Sequence, residues 1–267
     1  NNDAALNTAM GNSTNTRIAV ADSGRVFVLV TRDPNIPGVR GTTLYIGWSD
    51  DQGLNWTEMD VPGTAETALE GRDQLMALAV HPNNDTIVYA SGISQRGGFP
   101  NSIGATSFHA HMFRGNTTRA RSLNGTVSGQ WDHLTHATGN ALMPNGGTGG
   151  TSAPHADSRE MTFDANGNLI EVSDAGIVRR TSPDNNTGDW FSINGNLQVT
   201  EAHSSAYDTN FDIITAGTQD TGALEQTGTG STTWDSVRLA DGGKVAVSDS
   251  TPGTSIRYFS EQNLGLF

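Results

Sequence analysis

Apolar residues along this chain recur at every second position in short bursts. "RVFVLVTR" (25–32), "TTLYIGW" (42–48), "DTIVYASGI" (85–93) and "FDIITAGTQD" (211–220) are examples, each bounded by Gly, Asn, Asp, Ser or Thr. A period of two places alternate side chains on opposite faces of a strand, so each burst predicts a short β-strand. Sustained 3.6-residue periodicity is missing. The one helix candidate is "TAETALEGR" (64–72), a turn or two in a connection. Residues 1–16 have only Ala4, Ala5, Leu6, Ala9 and Met10 as apolar groups, which is weak strand material, and are read as an N-terminal extension. With 32 Gly in 267 residues, the pattern predicts an all-β protein of many short strands.

The bursts repeat in groups of four. Trp56, Trp131, Trp190 and Trp234 each follow a turn signal and open a short alternating run. Between them the runs correspond: "TRIAVAD", "GRVFVLVTR", "TTLYIGWSD" and "NWTEMDVP" in the first group, and "REMTFDA", "GNLIEVSD", "GIVRRTS" and "GDWFSIN" in the third. A four-stranded unit cannot bury both faces of its own sheet, whereas units stacked radially can. The repeat therefore predicts β-propeller blades at about 17–62, 73–136, 157–195 and 202–239, with an incomplete fifth at 244–267 made of "GKVAVSD", "SIRYFSE" and "NLGLF". The extra length of the second unit lies in Gly/Ser/Asn-rich insertions at 94–108 and 137–154, which predict loops. About four and a half blades favour part of a larger ring, with a closed five-bladed ring as the alternative.

Composition narrows the function classes. Twenty-eight acids against 15 bases give a net charge of −13, and Lys244 is the single Lys. No basic surface can be drawn that would track a phosphate backbone, so nucleic acid is not an expected partner. Cysteine is absent, which removes disulfides, thiol nucleophiles and Cys-bound zinc. No apolar run is long enough to span a bilayer. The chain starts without an initiator Met or signal peptide, as a mature or excised piece of a longer protein would.

The pattern Ser49-x-Asp51-x-Gly53-x-x-Trp56 resembles the Asp-box of sialidase-type and sortilin-type propellers. Its physics suits a hairpin: the Asp accepts N–H groups of its own turn, Gly takes the positive φ, and Trp anchors the turn by burying a large ring. "SPDNNTGDW" (182–190) looks like a degenerate copy. From residue 154 onward, "PHADSREMTFDANGNLIEVSDAGIVRRTS", "FDIITAGTQDTGALEQ" and "ADGGKVAVSDSTPGTSIRYFSEQNLGLF" resemble the sortilin-like and xyloglucanase-like group of secreted bacterial propellers, with "SDAG" and "QDTG" where that group has "NDGG" and "QDNG". The resemblance implies a seven-bladed ring, or two facing rings, in an extracellular or cell-surface bacterial protein. It leaves activity open, because function resides in sites rather than folds.

In a propeller the segments just before the inner strands line one mouth of the channel, where ligands bind. Those positions here are Arg72, Asp73, His155, Asp157, Arg159, Glu160, Glu201, His203 and Asp241, and the resemblance adds Gln219 and Asp220. Asp157, Glu160, Glu201 and Asp241 could supply the carboxyl pair that glycoside hydrolysis needs. A sialidase needs an Arg cluster and a Tyr–acid nucleophile; Arg72 and Arg159 are available, but Tyr207 falls inside a strand pattern. His109 and His111, two apart in "FHAHMF", would share a strand face and form a candidate metal pair. "DANGN" (164–168) resembles part of a calcium loop but lacks its far-end bidentate acid, so a hairpin turn is expected and calcium is no more than an open option. No other cofactor is indicated. The leading expectation is a non-catalytic glycan- or protein-binding, scaffold-type propeller module. The alternatives are a xyloglucanase-like glycoside hydrolase acting through a carboxylate pair and an assembly factor whose ring docks a protein.

Overall fold

The computed structural model describes residues 2–32, 41–63, 68–72, 74–122, 128–136, 143–197 and 200–261. They form two compact units, Asn1–Gly195 and Asn196–Phe267. The protein is all-β, and its four-stranded sheets are antiparallel meanders of propeller-blade form.

The first unit begins with a helix, α1 (Ala4–Gly11), within the stretch that the sequence reads as an N-terminal extension of weak strand material. Asp3 caps it: its Oδ1 accepts the Leu6 N–H at 2.7 Å, satisfying one of the donors that a helix start leaves open. Leu6 and Ala9, three apart on one helix face, are buried against Val28, Val30 and Tyr45. The helix expected at 64–72 is not seen in residues 68–72, and 64–67 lie outside the described residues.

Three sheets follow in this unit. The first is β1 (Asn15–Val20), β2 (Val26–Arg32), β3 (Thr42–Ser49) and β4 (Thr57–Glu58). The second is β5 (Ala77–His81), β6 (Asn84–Ser91), β7 (Met112–Asn116) and β8 (Trp131–His133). The third is β9 (Glu160–Phe163), β10 (Leu169–Ser173), β11 (Gly176–Arg180) and β12 (Trp190–Ser192). The first strands are neighbours, β5 lying beside both β1 and β9. The cores therefore lie between sheets. Phe27, Leu29 and Ile46 of the first sheet meet Leu78, Val88 and Phe113 of the second. The opposite face of the second sheet, with Ala77, Tyr89 and Met112, meets Met161, Leu169 and Trp190 of the third. Alternation along β2 and β6 supplies apolar groups to both faces, as stacked blades require.

The repeated Trp residues have one bonding pattern in two of these sheets. Trp131 donates its indole N–H to the Asp60 carbonyl, just past β4, at 2.7 Å. Trp190 donates to the Leu134 carbonyl, just past β8, at 2.8 Å. Each ring ties its own sheet to the preceding one. Gly115 is required beneath Trp131, since a Cβ there would come within 2.5 Å of the indole. Trp56 instead donates to the Gly53 carbonyl of its own turn at 2.9 Å.

The turn between β3 and β4 is closed by its own side chains. Ser49 Oγ accepts the Gly53 N–H (2.9 Å) and donates to Asp51 Oδ1 (2.8 Å), while Asp51 accepts the Asn55 N–H (2.8 Å) and the Asn55 amide (2.6 Å). These donors hold the Asp51 carboxyl down at about 2. Gln52 and Gly53 take φ of 60° and 86°. Asp50 pairs with Arg25 at 2.7 Å, and that guanidinium lies over the Trp48 ring. The "DANGN" segment is a hairpin turn between β9 and β10, in which Asp164 accepts the Asn166 and Asn168 N–H groups and the Asn168 amide.

The second unit has one complete sheet, β13 (Ala202–Asp208), β14 (Ile213–Thr218), β15 (Gly222–Gln226) and β16 (Trp234–Arg238), and a hairpin, β17 (Gly242–Thr251) and β18 (Thr254–Glu261). β17 lies against β13 and β14. Asp208 at the end of β13 is fully buried and joins the two parts by accepting from Arg257 Nε at 2.8 Å and Ser255 Oγ at 2.7 Å. The third run expected after β18, "NLGLF", lies outside the described residues.

Candidate functional site

The site forms at the end of the first unit's sheets where β5 and β9 begin and β6 and β10 end. Backbone pairing joins these segments: Asp157 N–H donates to the Ile93 carbonyl at 2.6 Å, Ser158 N–H to the Gly92 carbonyl at 3.2 Å, and Ile93 N–H to the Glu70 carbonyl at 3.0 Å. Thr43, at the start of β3, donates to the Leu69 carbonyl at 2.7 Å, so the first sheet points the same way and its acidic turn at 49–56 lies at the opposite end.

Asp157 is the centre of this arrangement. It is half-buried, takes a left-handed φ of 63°, and its Oδ1 is enclosed without a hydrogen bond. Asp tolerates that region better than most non-glycine residues, and non-glycine residues held there recur at functional sites. Its carboxyl is shifted up, first by loss of water and then by Asp174; His155, Arg159 and Arg72 oppose the shift. Four predicted positions (Arg72, His155, Asp157 and Arg159) therefore belong to one electrostatic group. Asp73 lies outside the described residues. Glu160 opens β9, is exposed, and turns back to accept the Met161 N–H at 3.2 Å.

Two acids that the sequence reading did not nominate complete the group. Asp174, in the β10–β11 turn, pairs with Arg159 through Nε at 2.7 Å and through Nη2. Glu171, in the middle of β10, is 0% exposed. Burial raises its carboxyl to about 8, Asp174 adding to the effect and Ser158 opposing it. Ser158 itself receives the Ser91 hydroxyl at 2.6 Å. Arg96 pairs with Glu70 on the neighbouring segment.

Histidines border the group. The His109 ring lies 5.4 Å from that of His136, and His111 lies 4.8 Å from Phe113. β7 begins at Met112, so the two histidines expected to share a strand face precede the strand. Burial lowers His109, His155 adding to it, and pushes His136 down to about 4 with help from His109 and His133. Among the described residues no group of three or more His, Asp or Glu is arranged to hold a metal ion.

The remaining predicted positions gather separately in the second unit. His203 Nδ1 lies 2.8 Å from the Gly242 carbonyl, and Nε2 lies 4.0 Å from Glu201. Gln219 N–H donates to the Glu201 carbonyl at 3.0 Å, and Asp220 N–H, at φ 61°, to Asp241 Oδ1 at 3.0 Å. Tyr207 donates to Asp212 at the other end of β13, away from these groups.

No protein family and no curated protein matches the chain. Solved structures are similar at a distance. PorZ, a surface component of the type-IX secretion system of Porphyromonas gingivalis, is 15% identical, with 79% of this chain and 26% of PorZ covered and a TM-score of 0.36. YCF48 bound to D1 peptide is 14% identical, with 94% and 80% covered and a TM-score of 0.25. Trypanosoma rangeli sialidase with the inhibitor DANA is 10% identical, with 93% and 44% covered and a TM-score of 0.30. The chain thus spans about a quarter of PorZ and under half of the sialidase, and at these values the likeness carries no activity with it. Among the described residues no helix is long and apolar enough to cross a membrane.

Proposed function

We propose that the Asp157 end of the first unit binds a glycan and does not cleave it. Asp157 carries this reading: a half-buried carboxylate in a left-handed turn, among Arg72, Arg159 and His155, keeps part of its surface open to accept sugar hydroxyls while its enclosed Oδ1 faces inward. Cleavage by a glycosidase needs two carboxyls that both reach the bond. Glu171 has the raised proton affinity of a general acid, but no surface of it is exposed. Asp174 is committed to Arg159. Glu160 is exposed but stands on the same short segment as Asp157.

The test is a glycan array combined with a reducing-end assay. Asp157→Asn keeps the shape and removes the charge, and is expected to weaken binding tenfold or more, with no reducing ends released by either protein. Release of reducing ends, or undiminished binding by Asp157→Asn, overturns the reading. Capture of a protein partner in place of any glycan overturns it in favour of protein docking.

A further inference from the structure

The connection from β6 to β7, residues 92–111, carries two aromatic rings that the Asp157 group does not use. Phe108 is 58% exposed, and its ring meets that of Phe99 edge to face with centroids 5.0 Å apart. Large apolar rings left in water are costly, and the loop that carries them is tied together by buried polar side chains. Gln95 and Asn101 of the same loop are buried. Asn101 Oδ1 accepts the Ile103 and Ala105 N–H groups, its amide donates to Gln95 Oε1 at 3.0 Å, and Gln95 Nε2 donates to the Ala110 carbonyl at 2.9 Å. The Gln95 N–H also donates to the His109 carbonyl at 2.8 Å. A side chain added at Gly97 would come within 3.7 Å of the Phe108 ring, so that ring lies close over the backbone of its own loop.

The roots of this loop are the segments that hold Asp157. Gly92 and Ile93 accept the Ser158 and Asp157 N–H groups, and the Ala110 N–H donates to the Pro154 carbonyl at 3.1 Å. Phe108 is one residue from His109, which interacts electrostatically with His155. The aromatic pair and the polar group thus border the same end of the sheets.

We infer that Phe99 and Phe108 form a stacking subsite for the apolar face of a neutral pyranose, next to the hydroxyl-binding group at Asp157. This rests on the glycan reading above and gives it a ligand class. A pyranose presents C–H groups on one face and hydroxyls around its edge, matching a flat aromatic beside a carboxylate and guanidinium groups. Neutrality follows from charge. The chain carries −13, and two arginines at this end of the sheets, Arg96 and Arg159, are already paired with Glu70 and Asp174. A uronate-rich or sulfated polymer meets repulsion that a neutral one does not.

The experiment is affinity gel electrophoresis of the full chain in gels containing β-glucan, galactan, mannan or polygalacturonate. Wild-type protein, Phe108→Ala, Phe108→Trp, Phe99→Ala and Asp157→Asn are compared. Retardation is expected in at least one neutral polymer and not in polygalacturonate. Phe108→Ala is expected to weaken it tenfold or more, Phe99→Ala by less, and Phe108→Trp is expected to keep it. Circular dichroism should be unchanged for Phe108→Ala, because the ring is exposed. If Phe108→Ala binds as wild type while Asp157→Asn fails, the stacking subsite is overturned and the Asp157 reading stands. If Phe108→Ala fails and Asp157→Asn binds normally, the subsite stands and the Asp157 reading falls. Retardation in polygalacturonate alone overturns the neutral class, and no retardation of wild-type protein in any gel overturns both.

Discussion

At pH 8, Glu171→Gln is expected to be more stable than the wild-type protein by about 3 kcal/mol, and at pH 5 to match it within about 1 kcal/mol. The ordinary carboxyl value of 4.5 is raised to about 8 in the folded chain by burial. A group raised on folding contributes fully below its unfolded value, and that contribution is lost as pH climbs toward the folded value. Wild-type stability should therefore fall between pH 4.5 and 8. His136 works the other way. It is pushed down to about 4 from 6.5, so its penalty grows as pH falls from 6.5 toward 4. The two effects oppose each other between pH 4.5 and 6.5, which leaves pH 6.5–8 as the window where Glu171 acts without His136. Glutamine mimics the neutral acid and cannot ionise. Urea unfolding of both proteins at pH 5, 6.5 and 8 measures the difference, and an equal gap at all three values would refute the assignment.

Arg180→Ala is expected to destabilise the first unit by about 3–5 kcal/mol. The Arg180 side chain is 0% exposed, and among the described residues no acid is bonded to it. It donates to three backbone carbonyls instead, those of Leu134 (3.0 Å), Gly147 (3.0 Å) and Asn185 (2.8 Å), and lies 5.9 Å from the centre of the Trp190 ring. Burial, with Arg114 nearby, brings its proton affinity down to about 10, so it remains charged at neutral pH. Removing it takes the Arg180 donors from the Gly147 and Asn185 carbonyls, leaves the Leu134 carbonyl with the Trp190 indole, and opens space beside Trp190. Arg180→Lys should recover only part of the loss, because one ammonium cannot span three divergent acceptors. Chemical denaturation at pH 7 checks this; a loss below about 1 kcal/mol for Arg180→Ala would mean that water replaces the guanidinium.

The sheets were legible because alternating runs and recurring Trp residues report the same physical need, a blade that must be covered by its neighbours. Trp131 and Trp190 show that need directly, each reaching the sheet before it. Helix α1 was not legible: eight residues with two buried groups make little pattern, and the Asp3 cap was the available signal. The Asp157 group was partly legible. Arg72, His155, Asp157 and Arg159 all stand just before first strands, and antiparallel topology brings such positions to one end. Asp174 was missed because it follows a second strand, although pairing of Val172 with Glu160 places it beside Arg159. Glu171 was hidden by the alternation rule itself. In "LIEVS" hydrophobicity favours burying Ile170 and Val172, yet the buried face holds Leu169, Glu171 and Ser173. The pattern fails where a charged side chain is kept inside, and that failure is itself a sign of a special site.

The backward reach of the two indoles has a consequence for how the chain assembles. Trp131 and Trp190 each bond to a carbonyl made earlier in synthesis, at Asp60 and Leu134. A growing chain therefore finds both acceptors already outside the ribosome, and the second and third sheets can each latch onto a finished edge. Truncation is correspondingly asymmetric. A chain ending at residue 136 keeps Trp131 and its acceptor, whereas one beginning at residue 143 leaves the Trp190 donor with nothing to hold.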